Sequence, residues 1–273
     1  MSVIEAIILG IVQGLTEFLP VSSSGHLVLL QKIFDIDEPG LFFDTMLHAG
    51  TLIAVFAVLW KDIWELLKKP IQKLTGFLIL ATIPAIIAAL LFGNKIEEVF
   101  KSAKLLGFCF LITTVFLILA EIILRRTSTA TDEKPLLKNL NEMKWYDALV
   151  IGIMQAIAIP PGISRSGATI FGGLFRKLDR DSAARFSFLL SIPVILGAVV
   201  LQSKDLVTKG TAEDINVIAV IAGTLTAAII GYFAVKFMLK IIREKSLLGF
   251  AIYTGVLGLL VILDQFLLNV VFK

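Results

Sequence analysis

Residues 6–27 read AIILGIVQGLTEFLPVSSSGHL, and residues 148–169 read ALVIGIMQAIAIPPGISRSGAT. A constant offset of 142 positions aligns the two stretches without a gap, and most of the identical pairs are polar residues or glycines. These pairs are Ala6/Ala148, Gly10/Gly152, Ile11/Ile153, Gln13/Gln155, Ser22/Ser164, Ser24/Ser166 and Gly25/Gly167. A duplicated polar segment with apolar flanks is typical of membrane proteins whose site lies between two repeats.

The composition predicts a membrane protein. Hydrophobic residues make up 57% of the 273-residue chain, charged residues only 17%, and the mean hydropathy is +0.91. A soluble domain has about 25% charged residues. Apolar runs close to the ~20 residues that a membrane helix needs occur at about 41–60, 74–93, 105–124, 186–203, 217–236 and 247–268. Residues 2–12 lack the features of a cleaved signal, so we expect this first segment to be retained.

Two regions, 3–34 and 146–175, differ from these six segments. Each has two short apolar stretches around a turn rich in proline, glycine and serine. The stretches are too short to span a bilayer, so we expect each region to be a re-entrant helix–loop–helix. Irregular backbone at that depth is tolerated where protein or a water-filled cavity surrounds it.

The distribution of basic residues predicts the topology. With both broken regions re-entrant and the N-terminus outside, loops 61–73, 125–144, 176–185 and 236–245 are cytoplasmic and carry 17 lysines and arginines, against seven outside. Positive charge accumulates on the cytoplasmic side of membrane proteins. We therefore predict an all-α polytopic membrane protein with about six spanning helices, two re-entrant regions and both termini outside. Residues 1–273 form one membrane domain, in which repeat one (about 1–124) and an inverted repeat two (about 145–268) are joined by the cytoplasmic loop 125–144.

The two turns have the composition of a phosphate site. Glycine and serine let backbone N–H groups converge, and a helix that follows adds partial positive charge at its N-terminus. The guanidinium of Arg165 suits phosphate oxygens, and near the middle of a membrane it needs an anionic partner such as a phosphate or Glu17. The donors and turn residues that we predict to contact the phosphates are Ser22, Ser24, Gly25, Gly162, Ser164, Ser166, Gly167 and Thr169.

The positions at which the copies differ indicate the chemistry. Glu17 pairs with Ile159, Ser23 with Arg165, and His26 with Ala168. Copy one therefore supplies a carboxylate, a hydroxyl and an imidazole, while copy two supplies a cation. A nucleophile, a proton-transfer group and a charge stabiliser are the groups that phosphoryl transfer requires.

Both motifs resemble those of the undecaprenyl-diphosphatase family, also called bacitracin-resistance proteins. Gln13-Gly-Leu-Thr-Glu17 matches the family's (E/Q)xxxE stretch in its Gln form, followed by the SSxGH turn, and residues 161–169 match PGxSRSxxT. The resemblance extends over essentially the whole chain. It implies hydrolysis of undecaprenyl diphosphate to the monophosphate on the outer side of the bacterial inner membrane, which recycles the lipid carrier of peptidoglycan. It also implies a divalent cation, Mg²⁺ or Ca²⁺.

The resemblance and the residues together suggest roles. Arg165 binds the diphosphate, and Glu17 holds the metal or acts as a base. Either Ser23 or His26 attacks phosphorus; we favour Ser23 with His26 as its proton-transfer partner. Gln13 contacts substrate or forms a helix–helix hydrogen bond. Asp44 and His48 lie four residues apart, on one face of a helix, and two residues are too few for a metal site, so we place them behind the site.

A second class of function fits the same architecture. Inverted repeats with broken helices at the bilayer midplane are typical of secondary carriers, so a transporter or flippase of a polyprenyl phosphate or another anionic lipid is the alternative. A carrier needs binding groups but no nucleophile, so Ser23, His26 and Glu17 favour an enzyme. We expect the protein to bind a polyprenyl diphosphate and membrane lipid and to bind no nucleic acid. A second copy of the chain, in a homodimer, is a further expected partner.

Overall fold

The computed structural model describes residues 1–34, 36, 40–129, 137–209 and 216–272. Within these ranges the regular structure is helical, with a short 3₁₀ helix at Leu140–Glu142, a π-helical turn at Asp264–Leu268 and one isolated bridge between Lys138 and Leu178. The α-helices are α1 (Val3–Thr16), α2 (Ser23–Ile33), α3 (Gly40–Val58), α4 (Trp60–Lys68), α5 (Lys73–Ser102), α6 (Leu106–Thr129), α7 (Trp145–Ile157), α8 (Arg165–Phe175), α9 (Arg180–Lys209), α10 (Val217–Glu244) and α11 (Leu248–Leu263).

The helices confirm a polytopic membrane protein. Five segments are long and apolar enough to cross a membrane: Lys73–Gly93, Leu106–Thr127, Arg180–Leu201, Val217–Glu244 and Leu248–Leu268. The sixth predicted span, 41–60, is α3, which bends by 83° into α4. Helices α1 and α7 are apolar but short, as expected for the broken regions. Their re-entrant course and the inverted orientation of the copies stay predictions, because helix length and composition do not address them.

The first helix of each copy packs against a late helix of the other copy. Helix α1 packs on α10, and α7 packs on α5. The duplicated glycines make both contacts close: a Cβ on Gly10 would lie 2.5 Å from the carbonyl oxygen of Gly223, and one on Gly152 would lie 2.5 Å from that of Ala81. Small residues permit such backbone approach between membrane helices. The Gly10/Gly152 identity therefore reflects packing.

A buried charge cluster fixes the start of α7. The carboxylate of Asp147 is fully buried and accepts hydrogen bonds from Lys138 Nζ at 2.7 Å, Arg176 Nε at 2.8 Å and the backbone N–H of Lys144 at 3.0 Å. Burial alone would raise the pKa of Asp147, but these hydrogen bonds hold that pKa below its ordinary value. The cluster ties residue 138, helix α7 and the end of α8 together, so it holds the second turn in place.

We expect Asp147→Asn to destabilise the protein, because the partly exposed cations Lys138 and Arg176 lose the buried carboxylate that pairs with both of them. Breaking a buried pair costs about 3 kcal/mol, which corresponds to a thermal midpoint lower by roughly 5–10 °C. The folded-state pKa is depressed, so the carboxylate stabilises the protein above the unfolded pKa, about 4, and this contribution is lost as the pH falls through the folded pKa. Thermal unfolding in detergent at neutral and acidic pH measures this difference.

Glu142→Gln is the control for the Asp147 prediction. The exposed Glu142 side chain accepts the backbone N–H of Asn139 at 2.9 Å, and a glutamine oxygen can accept the same hydrogen bond, so we expect the midpoint to stay near that of the wild type. A difference between Asp147→Asn and the wild type that persists unchanged at acidic pH would contradict the charge-based explanation.

Candidate active site between the two turns

The two turns are built alike around the duplicated serines. Ser22 caps the N-terminus of α2, where its Oγ accepts the backbone N–H of Gly25 at 3.3 Å. Ser164 caps α8 in the same way, accepting the N–H of Gly167 at 3.1 Å. Serine is a favoured N-cap because its oxygen satisfies an otherwise unpaired donor. The repeated S-x-S-G sequence is therefore a repeated helix start.

The turns contact each other directly. Ser22 Oγ accepts the backbone N–H of Gly162 at 3.1 Å, and Ser166 Oγ donates to the carbonyl oxygen of Leu19 at 3.0 Å. Gly162 has a φ of +94°, which favours glycine. A Cβ on Gly25 would lie 2.8 Å from the Cα of Gly162, so the two backbones touch where neither residue has a side chain.

Glu17 is the centre of the polar groups that the turns bring together. Its Oε1 accepts from Arg165 Nη2 at 2.5 Å, and its Oε2 accepts from Ser23 Oγ at 2.6 Å and from Gln13 Nε2 at 2.9 Å. The side chain of Glu17 is only 4% exposed, so its charge depends on Arg165 for compensation. Because Glu17 and Ser23 belong to copy one and Arg165 to copy two, both copies are needed to build the cluster.

These groups line a cavity of about 320 Å³. The lining residues are of two kinds, and the apolar ones include residues that follow the prolines inside α5 and α9. The polar lining residues are Glu17, Ser22, Ser23, Ser24, His48, Gln155, Ser164 and Arg165, and the apolar ones are Ala85, Ala158, Ile159, Ile163, Val194, Ile195 and Ala198. A charged headgroup joined to an apolar chain matches this mixed lining.

Three buried polar atoms at this site have no hydrogen-bond partner: Arg165 Nη1, Gln13 Oε1 and Gln155 Oε1. Buried polar atoms are rarely left unpaired, and exceptions cluster at sites that bind something. Gln155 Nε2 donates to the carbonyl oxygen of Ala81 at 3.4 Å. One terminal nitrogen of the Arg165 guanidinium, Nη2, thus binds Glu17, and the other, Nη1, has no partner.

Not every residue predicted for the site faces the cavity. The Nδ1 of His26 lies 2.7 Å from the carbonyl oxygen of Ser22 and its Nε2 lies 2.7 Å from the hydroxyl of Tyr253. The expected pairing of Ser23 with His26 is not formed, since the Ser23 hydroxyl donates to Glu17 instead. The ring of His26 lies between Tyr253 and Phe110 and does not line the cavity.

Thr169 and Ser166 support the second turn from behind. Thr169 Oγ1 donates to the carbonyl oxygen of Arg165 at 2.8 Å and lies 2.6 Å from Ser187 Oγ. Ser166 Oγ lies 3.1 Å from Ser164 Oγ, besides its contact with copy one. Like the glycines 25, 162 and 167, these residues shape the turns and do not line the cavity.

His48 is the site residue that sequence reasoning underrated. Its Nδ1 lies 3.1 Å from Glu17 Oε2 and 2.8 Å from Gln13 Nε2, and it lines the cavity. Asp44, one turn earlier on α3, accepts instead from Gln31 Nε2 at 3.3 Å. The signal available in the sequence was weak: His48 is one of only two histidines in the chain.

The residues of the cavity allow a limited test for the expected metal. Among the described residues, no group of three or more His, Cys, Asp or Glu side chains is placed to hold a metal ion. Glu17 is the only carboxylate on the described cavity wall, and the free Gln13 Oε1 lies in the same cluster. Mg²⁺ commonly takes one or two carboxylates and completes its shell with water and substrate phosphates. This donor set fits a cation that arrives largely coordinated by a diphosphate.

Comparison with known proteins identifies the family of the chain. A family model described as "Bacitracin resistance protein BacA" matches residues 6–260, a range that contains both turns and His48. The chain belongs to this family. It is 48% identical to "Undecaprenyl-diphosphatase 3" of Bacillus cereus over 266 residues, which cover 97% of this chain and 98% of the relative. Proteins named undecaprenyl-diphosphatase from Carboxydothermus hydrogenoformans (97% and 98% covered) and Halothermothrix orenii (96% and 98%) are 45% and 42% identical.

Proposed function

We propose that the protein hydrolyses undecaprenyl diphosphate to undecaprenyl phosphate and inorganic phosphate, and so recycles the lipid carrier for cell-wall synthesis. The observation that carries this proposal is the contact of Glu17 with Ser23 on one oxygen and Arg165 on the other, in a cavity lined by both polar and apolar residues. The full-length similarity to proteins named undecaprenyl-diphosphatase supports the choice of substrate.

Ser23 is the nucleophile in this proposal. Its Oγ attacks the terminal phosphorus, the bond from that phosphorus to the bridging oxygen breaks, and undecaprenyl phosphate leaves. The hydroxyl proton passes to Glu17, which already accepts it in a 2.6 Å hydrogen bond. Water then attacks the phosphoserine, Glu17 returns the proton to Ser23 Oγ, and dihydrogen phosphate departs. The alternative nucleophile, His26, would have to break the contact of its Nε2 with the Tyr253 hydroxyl, because Nδ1 donates to Ser22 and only Nε2 has a lone pair for the attack.

Arg165 connects substrate binding to activation of Glu17. A carboxylate that is paired with a guanidinium is a weak base, because the cation favours its charged form. We propose that the diphosphate draws Arg165 towards its own oxygens, beginning with the free Nη1. Glu17 then loses part of its counter-charge and becomes a better proton acceptor for Ser23. Arg165 at the same time stabilises charge on the phosphoryl group.

We further propose that a divalent cation, Mg²⁺ or Ca²⁺, accompanies the diphosphate; the phosphate oxygens and Gln13 Oε1 would hold it beside Glu17. When bound, it neutralises phosphate charge. We place the protein in the bacterial inner membrane as one domain of two inverted repeats, with both termini outside and the cavity open to the outer face. The surplus of basic residues in loops 61–73, 125–144, 176–185 and 236–245 supports this orientation. A homodimer is part of the same proposal.

Phosphate release from undecaprenyl diphosphate by the purified protein in detergent tests the function. We expect steady release that a chelator abolishes and that added Mg²⁺ or Ca²⁺ restores. The exposed-site variant Glu142→Gln, matched in purification, should release phosphate at the wild-type rate. No release from a folded wild-type protein would contradict the phosphatase, whereas release that a chelator leaves unchanged would contradict only the cation.

The first helix of each copy packs against a helix of the other copy, and this arrangement favours a second candidate function, a lipid carrier. Helix α1 lies on α10 as α7 lies on α5, and repeats that pack in this way occur in transporters that rock around a central site. Liposomes that contain the Ser23→Ala variant and a labelled polyprenyl phosphate distinguish the two candidates. Movement of the lipid between leaflets without hydrolysis would support the carrier. If the lipid does not move, the phosphatase remains the single candidate.

A further inference from the structure

The ring nitrogens of His26 are both engaged away from the cavity. Nδ1 lies 2.7 Å from the carbonyl oxygen of Ser22, which also accepts the backbone N–H of His26 at 3.2 Å. A carbonyl oxygen only accepts hydrogen bonds, so Nδ1 carries the proton. In the neutral ring Nε2 is then an acceptor, and the hydroxyl of Tyr253, 2.7 Å away, is its donor.

Aromatic contacts hold the His26 ring on both sides. The ring of Tyr253 stacks on it with centroids 5.6 Å apart and an interplanar angle of 10°, and Phe110 meets it edge-on at 5.5 Å. Tyr253 lies on α11 and Phe110 on α6, two helices that pack together. Neither aromatic residue lines the cavity. The imidazole is therefore fixed from a direction in which no substrate approaches.

Ser22, the residue whose carbonyl oxygen His26 binds, has an unusual backbone conformation. Ser22 has φ 70° and ψ 93°, a region that residues other than glycine adopt only where their surroundings impose it. Its carbonyl oxygen is bound twice by His26, and its Oγ accepts the N–H groups of Gly25 and Gly162. The next residue is Ser23, whose hydroxyl is aimed at Glu17. The direction of Ser23 thus depends on the conformation of Ser22.

We propose that Tyr253 is a positioning residue, which acts through His26 to hold Ser22 at positive φ and so directs the Ser23 hydroxyl. The inference rests on the proposed phosphatase function and gives His26 a hydrogen-bonding role in place of phosphorus attack or proton transfer. The connection runs from the lipid-embedded helix α11 to the nucleophile over four residues: Tyr253, His26, Ser22 and Ser23.

Tyr253→Phe tests the proposal, because it keeps the stacked ring and removes only the hydroxyl. We expect kcat for phosphate release to fall up to about tenfold, the loss expected for one hydrogen bond, with KM within about twofold because Tyr253 is outside the cavity. His26→Asn keeps a donor near the Nδ1 position, so it should retain about ten times the activity of His26→Ala. In the His26→Asn background, Tyr253→Phe should have no additional effect.

Amide hydrogen exchange across residues 22–26 adds a measurement that does not need catalysis. Exchange should be faster in Tyr253→Phe than in the wild type, because the N–H groups of Gly25 and His26 are bonded to Ser22. Tyr232→Phe is the matched control: the Tyr232 hydroxyl contacts only the exposed Lys236, so neither turnover nor exchange should change.

Three results would overturn the positioning role: wild-type kcat and wild-type exchange in Tyr253→Phe, equal inactivity of His26→Asn and His26→Ala, or acid-labile phosphate on His26. With a wild-type protein that releases phosphate, each of these leaves the proposed function intact. A wild type that releases none contradicts the proposed function, and the exchange measurement then still decides whether Tyr253 orders the turn.

Discussion

Replacing Arg165 with methionine is expected to lower kcat/KM for undecaprenyl diphosphate at least about a thousandfold. Arg165 is the only lysine or arginine on the described cavity wall. It pairs with Glu17 through Nη2 and has a buried, unpartnered Nη1. Methionine has a similar length but no charge, so the substrate would lose both its main cation and the group that stabilises the transferring phosphoryl. Steady-state phosphate release in detergent measures the loss.

Controls separate this chemical effect from a folding defect. Arg165→Met leaves Glu17 buried without its cation, so thermal unfolding should be measured alongside activity. In the double variant Glu17→Gln/Arg165→Met the uncompensated charge is gone, and we expect stability to recover while activity stays lost. Arg165→Lys keeps the positive charge but lacks the planar guanidinium, so its activity should lie between that of Arg165→Met and that of the wild type. Arg125→Met, at an exposed residue, should release phosphate normally.

The outcome that would contradict a site shared by both copies is simple to state. If folded Arg165→Met protein turned over at close to the wild-type rate, copy two would contribute no charge to the reaction. Glu17 and Ser23 would then have to act with a cation from elsewhere, and no other lysine or arginine of the described residues lines this cavity.

Several of the identical positions of the two copies have structural roles. Gly10 and Gly152 allow close helix contacts, and Ser22 and Ser164 start helices. Such roles are predictable from sequence, because a cap or a close contact requires a particular residue type at a local position. Span positions were predictable for a similar reason, since the thickness of a bilayer sets the length of an apolar run.

Contacts between distant segments were not predictable from one sequence. Gln13 and Gln155 are identical in the alignment, yet Gln13 binds Glu17 and Gln155 binds the carbonyl oxygen of Ala81. The difference follows from Ile159, which occupies the position of Glu17 in copy two and offers no acceptor. His48 lies 35 residues from Gln13, and its place beside the carboxylate depends on how α3 is rotated against α1.

The role of His26 illustrates the same limit. Sequence places it three residues after Ser23, close enough for the proton-transfer pair that we expected. Its actual hydroxyl partner, Tyr253, is 227 residues away. The direction of the imidazole depends on residues of α6 and α11, because Phe110 and Tyr253 contact the ring. No local pattern in the first turn contains this information.

Ser23→Ala is the substitution for which we expect the largest loss, about ten thousandfold or more in kcat. Removal of the attacking oxygen leaves the cation and the binding groups in place, so substrate should still bind with nearly unchanged affinity. Ser24→Ala is the matched control within the same turn. The Ser24 hydroxyl makes one long hydrogen bond, 3.4 Å to Ser22 Oγ, and does not contact Glu17. We expect Ser24→Ala to lose no more than about tenfold, the effect of a single weak hydrogen bond.

The chemical identity of the phosphoenzyme distinguishes Ser23 from His26 as the nucleophile. Substrate radiolabelled in its terminal phosphate, quenched during turnover, should leave label on the wild-type protein that is stable to acid and labile to base, as a phosphoserine is. Ser23→Ala should carry none, while His26→Asn should still carry it. Acid-labile label that survives Ser23→Ala would assign the attack to His26. It would then follow that substrate binding separates the imidazole from Tyr253, because in the present arrangement Nε2, the nitrogen with the lone pair, is engaged by the Tyr253 hydroxyl.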